Sequence, residues 1–269
     1  RWTNYLMGIG KISEISQKVE DKTNEALKQY ISDPSLGFKP LDAKKISPPK
    51  NSNNIYAEKI GYIQHIDLKS IRENSDKING ELYILTVIGD FIDKSTIIGK
   101  YTGNPQEHII KNIYKAFSIG PERSYDYDPR FGLIVLSEIA SRALSPGIND
   151  PGTAIDILTR INRILYHYFI DVENSKNDKS SEDNVLSNLW MKPLDIKELL
   201  GLSFLPIARD GKNFKEIHME LQRIYMSLMN CSPKNLNIII KKISINSLEY
   251  LEKSEMSKSE RKMIEEFKV

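Results

Sequence analysis

Residues 125–160 read YDYDPRFGLIVLSEIASRALSPGINDPGTAIDILTR, and their pattern decides the fold class. Two Asp-Pro steps, Asp128-Pro129 and Asp150-Pro151, each open an apolar run at helical spacing. Asp is a favoured N-cap, and Pro suits the first helical position because the N–H it lacks would have no partner there. Between the runs lies Ser145-Pro146-Gly147-Ile148-Asn149-Asp150, where Pro and Gly stop a helix. The stretch predicts two helices joined by a specified corner. The first, residues 129–144, is apolar on nearly all sides and therefore central. The second, residues 151–170, turns Ile155, Leu158, Ile161, Leu165 and Tyr168 toward a core. Its polar side carries Asp156, Arg160, Arg163 and His167, with Asp156 and Arg160 paired at i,i+4.

Outward from this corner the rest of the chain is also mostly helical. Residues 5–30 form a long amphipathic helix with an apolar stripe through Ile12, Ile15, Val19, Ala26 and Leu27. Glu14 and Lys18 pair on its other face. Residues 39–54 are a Pro-, Lys- and Ser-rich loop. Residues 54–101 change character, with β-branched and aromatic runs at 56–65, 81–88 and 96–101, and turn signals at Asn79-Gly80 and Gly89-Asp90. Asp67 is placed to cap a short helix over 68–74. Residues 106–118 return to helix. A polar tract over 171–188 reads as a loop. Helices are expected over 194–208, 213–229, 234–251 and 257–267, and no internal repeat is present. The expected fold is α+β: a mostly helical body with a small inserted β-subdomain of four or five strands. The divisions fall at 1–53, 54–103 and 104–269.

A chain of 269 residues with 40% hydrophobic and 28% charged residues can bury a core and is not disordered. The 38 basic and 36 acidic residues leave a net charge of +2, too even for a nucleic-acid reader. One cysteine, Cys231, excludes an internal disulfide framework and a multi-cysteine zinc site, and fits a reducing compartment. No apolar run approaches the ~18–20 residues that span a bilayer. The chain begins at Arg1, and RWTNYLMGIG carries aromatic and basic groups of the kind enriched where a transmembrane helix leaves the membrane.

Chemistry-bearing patterns are few. His65, His108, His167 and His218 stand apart, without metal-ligand spacing, and read as surface or capping histidines. Glu122, Asp126 and Asp128 are carboxylates suited to a hard cation or, more simply, to capping and solvation. No phosphate-binding glycine loop or nucleophile elbow occurs, and no cofactor is implied. One constellation remains: Arg123, Asp128, Arg130, Arg142, Ser145, Asn149, Asp150 and Thr153. Two readings of it stand side by side. Two helix N-termini with their free N–H groups, flanked by Arg130 and Arg142, suit an anion. Alternatively Asp150 caps its helix, Asn149 adopts a left-handed turn and the arginines pair with Asp128, Glu138 or Asp156. Arg142 interrupts the most apolar helix, so burial would demand a partner or ligand for it.

The segment DPRFGLIVLSEIASRALSPGINDPGTAIDIL resembles the signature of a bacterial predicted-membrane-protein family, the domain of unknown function 2254. Asp128, Pro129, Phe131, Gly132, Leu133, Leu136, Ile139, Ala140, the run 142–146, Asn149, Asp150, Pro151, Thr153 and Ala154 fit that signature. Glu138 replaces its usual Asp. Gly61-Tyr62-Ile63-Gln64-His65-Ile66-Asp67 and Gly89-Asp90-Phe91-Ile92 resemble two further family segments, and residues 199–211 a third. The resemblance implies transmembrane helices before Arg1 and histidines near the exit where Asn4 and Tyr5 stand here, and it supplies no catalytic residue to carry over. The expectation is a homo-oligomeric assembly or regulatory domain of an integral membrane protein, channel- or transporter-like. It would face the cytoplasm at the bacterial inner membrane and bind no nucleic acid. A small-molecule or anion sensor at the paired helix N-termini is the alternative. An enzyme using Asp128, Asp150 and the arginines is a third reading.

Overall fold

The computed structural model describes residues 2–32, 38–41, 47–177 and 188–267. Arg1, where membrane exit is expected, lies outside them. The described chain is α+β and mostly helical, and divides into two units. One comprises Arg1–Lys28, Pro129–Asn177 and Asp195–Val269; the other comprises Gln29–Asp128 and Asp178–Leu194.

The helical unit is built from most of α1 (Trp2–Ser32), then α4 (Phe131–Ala143), α5 (Pro151–Asn177), α6 (Ile196–Asp210), α7 (Lys215–Cys231), α8 (Asn237–Leu248) and α9 (Lys258–Glu265). Helix α4 packs on α5 and α6, α5 on α7, and α8 on both α6 and α7. Leu133, Leu136 and Ala140 of α4 are fully buried, as are Ile157, Ile161 and Leu165 of α5 and Leu221 of α7. The central position expected of α4 is observed. Its first turn begins at Phe131, two residues after Pro129, with Arg130 at the cap position. Helix α5 runs on through Asn177, seven residues past its expected end. The remainder of the anticipated loop, 178–187, lies outside the described residues.

The buried face of α1 matches the expected apolar stripe only in part. Ser16, Val19, Glu20, Thr23, Ala26 and Leu27 are buried, while Ile12 and Ile15 are 40% and 53% exposed. Of the three buried polar residues, Glu20 and Thr23 each meet a partner, while the Ser16 hydroxyl has none among the described residues. The Thr23 hydroxyl donates to the Val19 carbonyl at 2.6 Å and lies against Gly132 so closely that a Cβ there would collide with it. Glu20 accepts hydrogen bonds from two arginines of α5.

The second unit holds two sheets. The larger has the order β1-β8-β4-β6-β2, from Lys39–Pro40, Leu189–Met191, Leu82–Ile84, Ile97–Tyr101 and Asn53–Tyr56. Strand β8 pairs in parallel with β1 and β4, and the other pairs are antiparallel. The smaller sheet, β5-β3-β7, joins Phe91–Ile92, Gly61–Ile66 and Phe117–Gly120, all antiparallel. Strands β1, β7 and β8 fall outside residues 54–103. The helix expected over 106–118 is shorter: α3 (Glu107–Lys115) stops before Phe117, and Phe117 pairs with Ile66 as part of β7. Helix α2 (Leu68–Ser75) starts as anticipated: the Asp67 carboxylate accepts from the Ser70 N–H at 3.0 Å. Ile63, Ile71, Leu82, Ile84, Ile98 and Ile113 belong to the core of this unit.

His218 on α7 is fully buried rather than at the surface. Neither ring nitrogen has a hydrogen-bond partner among the described residues. One turn on, Gln222 accepts from the Ser244 hydroxyl at 2.7 Å, beside buried Ser247. Burial lowers the His218 pKa from 6.5 to about 4, because the charged ring would lose its hydration. The folded value lies below the unfolded one, so the unfolded chain holds the extra proton between those limits. Stability is whole above pH 6.5 and falls as pH drops toward 4, by about 3 kcal/mol for this residue. Denaturant titrations of wild type and His218→Leu across pH 7.5 to 4.5 measure it: the wild type should lose more stability than the variant, and parallel curves would contradict the assignment.

Candidate functional site

The sequence singled out eight residues, and the structure distributes them over three places. Arg123 and Asp128 lie in the sheet-bearing unit. The Arg123 Nε donates to the Asp128 carboxylate at 2.6 Å, and that carboxylate is buried. Both side chains back onto Gly89, where φ is +87° and a Cβ would run into the Asp128 carboxylate and the Arg123 guanidinium. Glycine is required there for both reasons. Its turn is tied to β3 by the Gly89 N–H donating to the Ile63 carbonyl at 2.7 Å. Gln64 of β3 donates to the Glu122 carbonyl at 2.7 Å, and the rings of His65 and Tyr127 lie 4.5 Å apart. The segments around Gly61, Gly89 and Asp128, distant in sequence, are thus brought together around one small sheet. Sequence reasoning missed this; the signal was Gly89 in a turn combined with two opposite charges five residues apart.

Arg130 is the second place. It is 4% exposed and its Nη1 donates to Glu198, in the first turn of α6, at 2.9 Å. This is a paired buried cation joining the start of α4 to the start of α6.

The third place is the corner. The Asp150 carboxylate accepts from the Thr153 N–H at 3.0 Å and from its hydroxyl at 2.7 Å, so Asp150 caps α5 with Pro151 at its first position. Asn149 is left-handed, with φ 54°. The Ser145 hydroxyl donates to the Arg142 carbonyl at 2.7 Å, and the Asp150 N–H donates to the Ala143 carbonyl at 2.8 Å. The end of α4 is therefore satisfied by the corner itself. Arg142 is exposed and has no ion pair among the described residues. That corrects the expectation of a buried arginine paired with Glu138 or Asp156. The outward side of a helix end needs no partner for its charge, and a cation in the last turn of α4 is favourable there. The two helix N-termini also do not pair. They sit at opposite ends of α4, which at 13 residues is about 20 Å long.

A surface cavity of about 570 Å³ adjoins the corner. Ser141, Ser145 and Pro146 line it from the end of α4, Arg209 and Asp210 from the end of α6, and Lys212, Tyr250 and Lys253 complete it. The Arg209 Nε lies 2.7 Å from Asp210 and holds that carboxyl below its ordinary range. Three cations face one carboxylate. Local sequence pattern does not reveal the cavity, because its walls come from three separated segments. Among the described residues, no group of three or more His, Cys, Asp or Glu side chains could hold a metal ion. The Cys231 thiol is pushed up by burial, which makes it a weak nucleophile.

The family described as "Predicted membrane protein (DUF2254)" matches residues 1–227. The chain belongs to this family. It is also 28% identical over 167 residues to uncharacterized proteins of Mycobacterium bovis and Mycobacterium tuberculosis, over 60% of this chain and 32% of each relative. The match thus spans about a third of those relatives' length. No solved structure matches the chain. All eight singled-out residues lie within the matched range. Among the described residues, no helix is long and apolar enough to cross a membrane.

The corner geometry sets two expectations for thermal or denaturant unfolding. Asp150→Ala removes an N-cap bond and should cost about 0.5–2 kcal/mol. Arg142→Ala removes an exposed cation and should stay within about 0.5 kcal/mol of wild type. A large loss for Arg142→Ala would show that it has a partner, and no loss for Asp150→Ala would contradict the cap.

Proposed function

We propose that this chain is an assembly and regulatory domain of an integral membrane protein, self-associating and facing the cytoplasm at the bacterial inner membrane. One observation carries the reading: the chain belongs to a family of predicted membrane proteins, yet none of its described helices is suited to span a bilayer. Its role is then performed beside the membrane. The lone cysteine fits a reducing compartment. Exposed Ile12 and Ile15 on α1 form an apolar edge that symmetric self-association would cover. A channel- or transporter-like parent is the finer form of this proposal, with α1 the element through which assembly and membrane segments communicate.

Sedimentation over a concentration series tests the assembly. The chain should associate, and Ile12→Gln with Ile15→Gln should shift it toward monomer. A monomer at all concentrations, repeated for the full-length protein, would overturn it. Orientation is read in intact cells with a membrane-impermeant thiol reagent. Cys231 is a poor reporter, so the full-length protein should carry Gly147→Cys and Cys231→Ser; an added Cβ at Gly147 meets nothing within 4 Å. Labelling should appear only after permeabilisation, and labelling of intact cells would refute the cytoplasmic location.

The cavity beside the corner supports a second reading, a regulatory site for a small anion. Arg209, Lys212 and Lys253 supply positive charge around Tyr250. A phosphate-bearing nucleotide is a suitable probe. It should raise the melting temperature of wild type and not of Lys212→Glu with Lys253→Glu, and an equal response in both would remove this reading.

A further inference from the structure

Helix α8, NIIIKKISINSL, carries isoleucines on both its buried and its exposed sides. Ile240 and Ile243 are buried on the side that packs against α6 and α7. Ile238 and Ile245 point the other way and are 76% and 47% exposed. At about 100° per residue, these two lie almost in line. Lys241 and Lys242, both exposed, fall on either side of that line. Lys234 is exposed in the turn before the helix. No Asp or Glu occurs between Asn230 and Leu248, and none of the three lysines has an ion pair among the described residues. A helix that merely covers a core would carry polar residues on this face. Here the face has an apolar midline with basic flanks.

We propose that this face of α8 rests on an anionic lipid surface. Ile238 and Ile245 enter the boundary between headgroups and acyl chains, and Lys234, Lys241 and Lys242 sit against lipid phosphates. Three observations select this occupant. The chain belongs to a membrane-protein family, so a bilayer is at hand. The unpaired lysines complement anionic headgroups. A second copy fits poorly, because a two-fold contact through this stripe would set lysines against lysines. The helix lies beyond residue 227, where the family match ends. The proposal needs only the family's membrane association, not the orientation or self-association proposed above.

Co-sedimentation of the purified chain with vesicles tests it. Wild type should bind vesicles of equal parts phosphatidylglycerol and phosphatidylcholine, less at high salt, and should not bind phosphatidylcholine alone. Each basic residue at such a surface is worth ~1 kcal/mol, about fivefold in partitioning. Lys241→Gln with Lys242→Gln should therefore weaken binding about 25-fold. Ile238→Gln with Ile245→Gln should weaken it several-fold, without changing the melting temperature. Lys69→Gln with Lys115→Gln, two exposed lysines of the sheet-bearing unit, should leave binding as it was. Failure of wild type to bind the anionic vesicles would overturn the proposal. So would equal losses in the control pair, or α8 variants that bind vesicles normally but lose self-association.

Discussion

A single buried carboxylate holds the long first helix in register. Glu20 accepts from Nη1 of Arg160 and from Nε and Nη2 of Arg163, each at 2.9 Å. Arg160 also donates to Asp156 at 2.8 Å and to Gln17 at 2.8 Å. Two carboxylates thus balance two guanidiniums, with the central pair taken almost wholly out of water. Such a cluster gains little over a well-packed apolar one, but losing one member leaves uncompensated buried charge. It therefore fixes position more than it adds stability. Three positions on, Thr23 closes onto Gly132 at the start of α4. Together these contacts seat α1 against both α4 and α5, the helices that flank the corner.

The corner continues the same logic. Asp150 caps α5, Ser145 and the Asp150 N–H satisfy the end of α4, and Asn149 takes the left-handed turn. Ser145, Asn149 and Asp150 thus each have a local task. What is left over for partners lies outside: exposed Arg142, the basic cavity beside Ser145, and the apolar edge at Ile12 and Ile15. The proposed functions use these leftovers, while the signature residues build the frame that presents them. In the sheet-bearing unit Arg123, Asp128 and Gly89 form a comparable frame.

Most of the helices were legible because their ends carry local signals. Asp67, Asp150 and Gly211 mark observed helix boundaries. The misread polar residues share one cause: local pattern does not report where a polar side chain will sit. Glu20 lies outside the apolar stripe read for α1, yet two distant arginines draw it inside, and Ile12 and Ile15 are left out. Arg142 looked buried because its helix is apolar, but it occupies the outward side near the end. His218 gave no sign of burial, since nothing nearby in sequence pairs with it. Strands β1 and β8 are two and three residues long, too short for alternation to show. The cavity was invisible for a related reason, being assembled from residues far apart in the chain.

The anchoring of α1 by Glu20 is tested most directly by hydrogen exchange in wild type and Glu20→Ala. Amides of residues 17–27 should exchange together with those of α5 in wild type. In the variant they should lose protection ahead of α5, and global stability should fall by about 3–5 kcal/mol, the cost of breaking a buried pair. Unchanged protection of α1 with unchanged stability would contradict the account, and would mean that Thr23 against Gly132 and the burial of Leu27 suffice to seat the helix.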